Sequence, residues 1–450
     1  MLDSLYAWLR GQFHRIFRNE LIRRVVKNSG YLFSATGVSA ALSFVQNILV
    51  ARLLGPAGLG VLAAITTFTT VVNNLASFRM GELVVKYIGE FTENRQPEMA
   101  AAVFKAAATL EMLASLVAFA LAWLLAPLGA RFLTKDVGLA SWFILYGLII
   151  LANLISESST GLLQIFDRYR PMASLNILQS ASTLALVVLA YFTHGGMLEI
   201  LLAYIVGKVI GAIGLTLTAI QEANRRWGRD WWRTPLDILR PQARQLVKFA
   251  VSTNLSGSLS LINKSSDILW ISFFRTPLET GFFKQAQGLV NLVQLPVSPL
   301  PQATYPELSR EVARKNWRNV RYVLRQGSFL AGSFTLIATL VLAIFGRQII
   351  STLYGPDFLP AYPALLIMLV GFLVANTFYW NRTILLALNH PDFPTKVNLV
   401  VAILKTAGIL LLVPRFGYLA GAALLSASYL LGVSLSVWKA RQVMGAQQSA

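Results

Sequence analysis

Cysteine is absent from the 450-residue chain. That excludes a disulfide framework, a thiolate nucleophile and any cysteine-ligated metal. Histidine is nearly absent as well: His14, His194 and His390 lie far apart, each in a flank or a connection, and form no cluster. Charge is also scarce. Only 13% of residues are charged, against about a quarter in an ordinary soluble chain. No phosphate loop of the G-x-x-x-x-G-K-[ST] type occurs, and no His/Asp/Ser constellation. The chain is therefore expected to catalyse no reaction and to need no cofactor, drawing energy from a coupling ion (H⁺ or Na⁺), the membrane potential or a cargo gradient.

Apolar residues fill the space that charge leaves. They make up 55% of the chain, and mean hydropathy is +0.59. They fall in blocks of about 20, the length that crosses about 30 Å of hydrocarbon as a helix. Twelve spans are predicted, at 29–52, 58–79, 102–125, 141–163, 173–193, 199–220, 247–273, 282–304, 327–346, 361–388, 396–414 and 419–438. The expected fold is an all-α polytopic membrane protein: twelve transmembrane helices in two six-helix lobes around a central polar cavity.

The net charge of +19 is explained by topology. With the N-terminus inside, 28 of the 39 Lys and Arg residues fall on inner flanks and 6 on outer flanks, the bias that orients short loops. Both termini are then cytoplasmic, and no nucleic-acid partner is needed. Residues 1–28 carry Leu5, Leu9, Phe13, Ile16 and Phe17 at helical spacing among five arginines. They read as a basic amphipathic helix lying on the membrane surface rather than a signal peptide. The remaining divisions are an N-lobe over 29–220, a cytoplasmic linker over 221–246, a C-lobe over 247–438 and a tail over 439–450. Trp227, Trp231 and Trp232 in the linker suit a headgroup-level belt.

A weak internal repeat supports the two lobes. A shift of 221 positions lays Val26-Lys27 on Val247-Lys248, Pro56 on Pro277 and Gly60 on Gly281. The turn "LLGPAGLG" (53–60) thus matches "FRTPLETG" (274–281). Transporters built from repeats bind cargo at the repeat interface and rock one repeat against the other.

Several spans carry polar residues at i, i+3/i+4 spacing. Span 1 has Thr36, Ser39, Ser43 and Gln46 with Asn47 beside them; span 8 has Lys284, Gln287, Asn291 and Gln294. Ser, Thr and Asn also knit membrane helices together, but amides and a Lys repeated over three turns suit a face that meets water. Asn47, Asn263, Gln287 and Asn291 are the expected polar cavity lining.

The spans hold five cations, Lys208, Lys264, Lys284, Arg382 and Lys405, and three anions, Glu111, Glu157 and Asp267. A charge at the bilayer centre costs about 2.5–3.5 kcal/mol on insertion scales, so each needs a reason. Lys264 and Asp267, three apart in "NKSSDILW" (263–270), can pair on one helical turn. Either the pair is structural, or Lys264 is lent to an anionic ligand while Asp267 carries a coupling proton. The cationic excess favours an anionic cargo. Asn381-Arg382 beside Tyr379 and Trp380 suits either a sugar or phosphate group or an interfacial anchor.

Residues 28–78 resemble the opening of the Wzx-type polysaccharide-biosynthesis flippases, in the multidrug/oligosaccharidyl-lipid/polysaccharide exporter superfamily. The Ser/Gly-dotted first span runs into Ala51-Arg52-Leu53-Leu54-Gly55-Pro56, and Gly60 opens the second. "LLQIFDRYRPMASLNILQSASTL" (162–184) is similar to the end of that family's fourth span, except that Ile165-Phe166-Asp167 stands where a Gly is common. The resemblance implies a flippase of undecaprenyl-pyrophosphate-linked oligosaccharide in the bacterial cytoplasmic (inner) membrane. Its cargo would serve O-antigen, capsule or exopolysaccharide synthesis, with a polysaccharide polymerase and glycosyltransferases as partners. Lys208, Lys264, Lys284, Arg382 and Lys405 would then hold the diphosphate and sugars, while Asp267, Glu157 and Glu111 are the ion-coupling candidates. Related lipid II flippases carry arginines within their first helices; here Arg52 and Arg79 sit at span ends, which points away from lipid II. Two other functions remain open: a multidrug or small-metabolite exporter, and a non-transporting scaffold for polysaccharide enzymes.

Overall fold

The computed structural model describes the backbone over residues 20–76 and 80–449, and side chains over 34–76, 80–251, at Asn254 and over 266–447. Most of the expected amphipathic segment, and the side chains of Asn263 and Lys264, lie outside the described residues.

Every regular element among the described residues is helical. In chain order they are α1 (Glu20–Ala76), α2 (Gly81–Glu93), α3 (Pro97–Gly129), α4 (Ala140–Ala152), α5 (Ser156–Ile165), α6 (Tyr169–Phe192) and α7 (Met197–Trp227). There follow α8 (Ala243–Phe274), α9 (Pro277–Gln294), α10 (Leu300–Ala313), α11 (Trp317–Leu353), α12 (Ala361–Thr377), α13 (Asn381–Ala387) and α14 (Asp392–Ser449). Eight stretches among the described residues are long and apolar enough to cross a membrane. They cover ten of the twelve expected spans, because Ser34–Ala76 and Asp392–Gln447 each hold two. The 18-residue α9 is not among them; its Lys, Gln and Asn residues lower its apolarity.

Local chemistry explains the joints. α1 is two helices meeting at Gly55, whose φ of 65° and ψ of −179° are open essentially to glycine alone. Pro56 follows, at a first helical position where its missing N–H costs nothing. α14 is broken in the same way at Gly417, with φ 67°. Between α8 and α9 the repeat-related turn uses different means: Thr276 caps α9 by accepting from the Glu279 N–H, and Pro277 opens the helix.

Three further breaks were not foreseen. Expected span 4 is split between α4 and α5 by residues 153–155, span 10 between α12 and α13 by residues 378–380, and span 8 between α9 and α10 by residues 295–299. The last holds Pro296 and Pro299, while the other two contain neither Gly nor Pro. At the first, Asn153 donates its side-chain amide to the Ile149 carbonyl and accepts from Ser156, competing with the helix's own bonding.

The chain divides into two compact units. One takes the chain up to Leu53, then Thr69–Pro127 and Ala140–Ile262; the other takes Leu54–Phe68, Leu128–Leu139 and Asn263–Ala450. α8 contributes to both units, and two segments of the first half of the sequence belong to the second unit. In the first unit, Tyr87, Phe91, Phe104, Leu162 and Leu163 are fully buried. The expected linker packs onto that core. Trp227 and Trp231 lie 5.9 and 5.2 Å from the Phe104 ring, the Trp231 indole donates to Asn224, and Leu239 is buried. Only Trp232 of the three linker tryptophans is exposed, at 53%. In the second unit the core gathers Val320, Leu324, Tyr379, Trp380, Ile384 and Leu385.

The two repeat-related turns meet inside the second unit. A Cβ built on Gly60 would overlap the Pro277 carbonyl, and one built on Gly281 would overlap the Pro56 carbonyl. The contact is reciprocal: the four residues matched by the 221-residue shift touch one another, each glycine facing the other turn's proline. Only glycine lets two helix backbones approach this closely, with Cα–H groups against carbonyls. Nearby, Lys135 donates to the carbonyls of Phe132 and Phe273 at 2.7 and 2.6 Å, and partial burial holds its ammonium below the usual lysine pKa. The Phe132 and Phe273 rings lie 5.6 Å apart.

Substituting Gly60 with Ala places a methyl group against backbone that cannot rotate away. We expect a loss of about 1–3 kcal/mol, read as a lowered unfolding temperature in detergent. Gly37→Ala is the control, because nothing lies within 4 Å of a Cβ there, and with the helix propensity of Ala it should hold or raise that temperature.

Candidate functional site

The buried carboxylates are held internally. Glu111, on α3, is 3% exposed. Its oxygens accept from the backbone N–H of Glu157 and of Ser158, both at 2.8 Å, and from the Ser158 hydroxyl at 2.6 Å. Those N–H groups open α5, just past the break in expected span 4. A helix that begins inside the hydrocarbon has orphan donors and no water to satisfy them. Glu111 supplies the acceptors and places its negative charge at the positive end of the helix.

Asp267, on α8, is 4% exposed, and its ion-pair partner is Lys405 of α14, with Nζ 2.8 Å from Oδ1. The side chains are 5% and 7% exposed. Whether Lys264 also approaches is outside the described residues. The Lys405 pair ties Asp267 to a helix 138 residues away in sequence. Burial excludes water and strengthens the attraction, while making either charge costly if left alone.

The other candidates stand differently. Lys208, on α7, is exposed. At 100° per residue it lies about 200° round the helix from the exposed apolar stripe of Leu202, Val206, Ile213 and Leu217, on the side where Gly207 and Gly211 pack against α6. Lys284 is half-buried on α9. Gln287 and Asn291 share its face, and the opposite face buries Phe283, Ala286, Val290 and Val293. Arg382 is exposed at the start of α13, and Glu157 is exposed in the first turn of α5. Asn47 is half-buried on α1, while its neighbour Gln46 donates to the Ser180 carbonyl at 2.7 Å. Among the described residues no hydrogen bond or ion pair holds Lys208, Lys284 or Arg382.

Two arrangements had no signature that sequence reasoning used. The Glu111 cap depends on the unforeseen break at 153–155. The Asp267–Lys405 tie leaves only a weak trace, one cation and one anion isolated in two otherwise apolar spans. Near the expected cytoplasmic ends, Glu222 is 3% exposed and is held by Arg168 at 2.8 Å and Arg226 at 3.0 Å.

The polysaccharide biosynthesis protein family matches residues 25–312. The inner membrane protein YghQ of Escherichia coli is 24% identical over 351 residues, 77% of this chain and 97% of YghQ. The fold is shared with a lipid II flippase, MurJ, in an inward closed conformation, at a TM-score of 0.69 and 15% identity over 91% of this chain and 87% of that one. It is shared equally with an inward-facing multidrug resistance transporter of the MATE family in the MOP superfamily, at 0.68 and 13% identity over 92% and 96%.

Breaking the Asp267–Lys405 tie from one side strands a buried charge. Lys405→Met should lower stability by about 3–5 kcal/mol, and Asp267→Leu with Lys405→Met should recover most of it. Thermal unfolding of the purified chain in detergent reads both.

Proposed function

The chain belongs to the polysaccharide biosynthesis protein family, and from that premise we propose that it is a flippase for a lipid-linked, anionic oligosaccharide. On this reading it sits in the bacterial cytoplasmic membrane with twelve spans in two six-helix lobes and both termini inside. It takes undecaprenyl-pyrophosphate-linked repeat units from the cytoplasmic leaflet and releases them to the outer leaflet for O-antigen, capsule or exopolysaccharide assembly. It is a transporter, not an enzyme.

The observation that carries the reading is the sorting of charge. The buried acids are occupied, Glu111 by backbone N–H groups and Asp267 by Lys405. The cations Lys208, Lys284 and Arg382 are held by no described partner. A diphosphate satisfies such cations with charge-assisted hydrogen bonds, and a cationic drug does not. Lys264 joins them as a proposed cargo ligand. Lys405 has the weaker claim on cargo, because it is buried against Asp267. Gln287 and Asn291 continue the Lys284 face and suit sugar hydroxyls, with Asn47 and Asn263 proposed beside them.

Coupling to H⁺ or Na⁺ is proposed at Glu157, the exposed member of the three acids, with Glu111 and Asp267 as further candidates. A cation-coupled multidrug exporter is the second reading, supported by the fold shared with the MATE-family transporter.

The test is genetic. Deleting the gene in its own host should abolish the surface polysaccharide, and restoring the wild type should return it. Lys208→Ala and Lys284→Ala, at matched membrane levels, should each restore less than about a tenth, the scale of one lost charge-assisted contact. Intact polysaccharide after deletion, with no second transporter covering the loss, contradicts the flippase reading. Drug sensitivity in its place supports the exporter.

A further inference from the structure

The inner end of α11 holds a cleft of about 690 Å³ lined by Asn316, Arg318, Asn319, Arg321, Tyr322 and Arg325. The neighbouring arginines are paired: Arg310 with Glu307 at 2.7 Å, and Arg314 with Glu311 at 3.4 Å. The three in the cleft form no ion pair among the described residues, and Arg321 makes only a 3.4 Å bond to the Trp317 carbonyl. No acid lines the cleft. Along the same face, at i+4 and i+11 from Arg325, follow Phe329 at 71% and Leu336 at 45% exposure, then Leu340 at 50%. Three guanidiniums thus lie at one end of an exposed apolar stripe on one helix, the end that the expected topology sets at the cytoplasmic headgroups. Arginine is the side chain that meets phosphate oxygens bidentately, and the stripe can lie along a hydrocarbon chain.

We propose that this cleft is a docking site for the lipid diphosphate, where the polyprenyl carrier of the cargo is captured from the cytoplasmic leaflet before it is transported. The inference rests on the flippase reading and adds an entry site to it. Charge selects the occupant. The cargo's diphosphate, esterified by polyprenol at one end and sugar at the other, carries two negative charges near neutral pH, and three guanidiniums can share its oxygens in bidentate contacts. A phosphatidylglycerol headgroup carries one and leaves two unmatched. Asn316 is already engaged as the cap of α11, accepting from the Asn319 N–H at 3.3 Å, and the Asn319 amide donates to Glu311 at 2.9 Å. Both therefore brace the rim, and the arginines and Tyr322 face the ligand.

The full-length protein in phosphatidylcholine nanodiscs is offered undecaprenyl diphosphate or phosphatidylglycerol, and retained lipid is counted by native mass spectrometry. Three proteins are compared: wild type, the triple variant Arg318→Gln/Arg321→Gln/Arg325→Gln, and the control Arg310→Gln/Arg314→Gln. Unfolding temperatures are matched first. The proposal expects the triple variant to retain at least tenfold less undecaprenyl diphosphate, the control to stay within twofold of wild type, and phosphatidylglycerol retention to be the same in all three. Wild-type diphosphate retention by the triple variant overturns the site, as does a parallel loss of both lipids, which marks a general basic surface. Transport of the sugar-linked lipid in vesicles separates the two claims. A triple variant that transports at the wild-type rate and half-saturation overturns the docking site and leaves the flippase standing. A wild type that neither retains nor moves the lipid overturns both.

Discussion

The reciprocal contact of Gly60 with the Pro277 carbonyl and Gly281 with the Pro56 carbonyl is the constraint from which much of the second unit follows. Two prolines start two helices, and four residues further on a glycine in each opens space for the other's backbone. Because the same motif serves both sides, the contact has local two-fold character, as expected of a chain built from two copies of one unit. It also ties Leu54–Phe68 into the same unit as Asn263–Ala450. Segments from the two halves of the sequence are thus in backbone contact at one place, where a single methyl group would intrude.

Charge inside the spans is the second organising element, and it divides by sign. Glu111 satisfies the N–H groups of a helix that begins in the membrane, and Asp267 neutralises Lys405 between two helices. Each acid offsets a cost the fold itself creates: the orphan donors of a broken helix in one case, a buried ammonium in the other. Lys208, Lys284 and Arg382 have no such partner among the described residues. Lys208 lies away from the exposed apolar stripe of its helix, Lys284 lies among amides, and Arg318, Arg321 and Arg325 share one cleft.

Composition and periodicity made the helical class, the placement of the spans and the motif at the two turns legible, because bilayer thickness and helical rise leave few alternatives. The Gly60–Gly281 contact was legible as an unexplained coincidence of spacing, and its geometry supplies the reason. The breaks at 153–155 and 378–380 were hidden, since neither carries Gly or Pro. With the first break hidden, the helix N-terminus that Glu111 caps had no signature in the sequence. The pairing of Asp267 with Lys405, 138 residues away, comes from helix packing, which no local pattern encodes. The linker tryptophans looked interfacial because arginines surround them, yet Trp227 and Trp231 fill a core around Phe104.

The central claim, that this chain carries a lipid-linked anionic sugar across a bilayer, is tested most directly in vesicles containing the purified protein and nothing else from the cell. Undecaprenyl diphosphate bearing a labelled oligosaccharide is built into both leaflets, and an impermeant glycosidase reports how much of the sugar can be reached from outside. Without transport only the outer-leaflet share, about half, is cleaved. The account expects cleavage to run close to completion when the protein is present, and to stay near half with protein-free vesicles. Cleavage that stops near half with folded wild-type protein, under H⁺ and Na⁺ gradients of either direction, would contradict it.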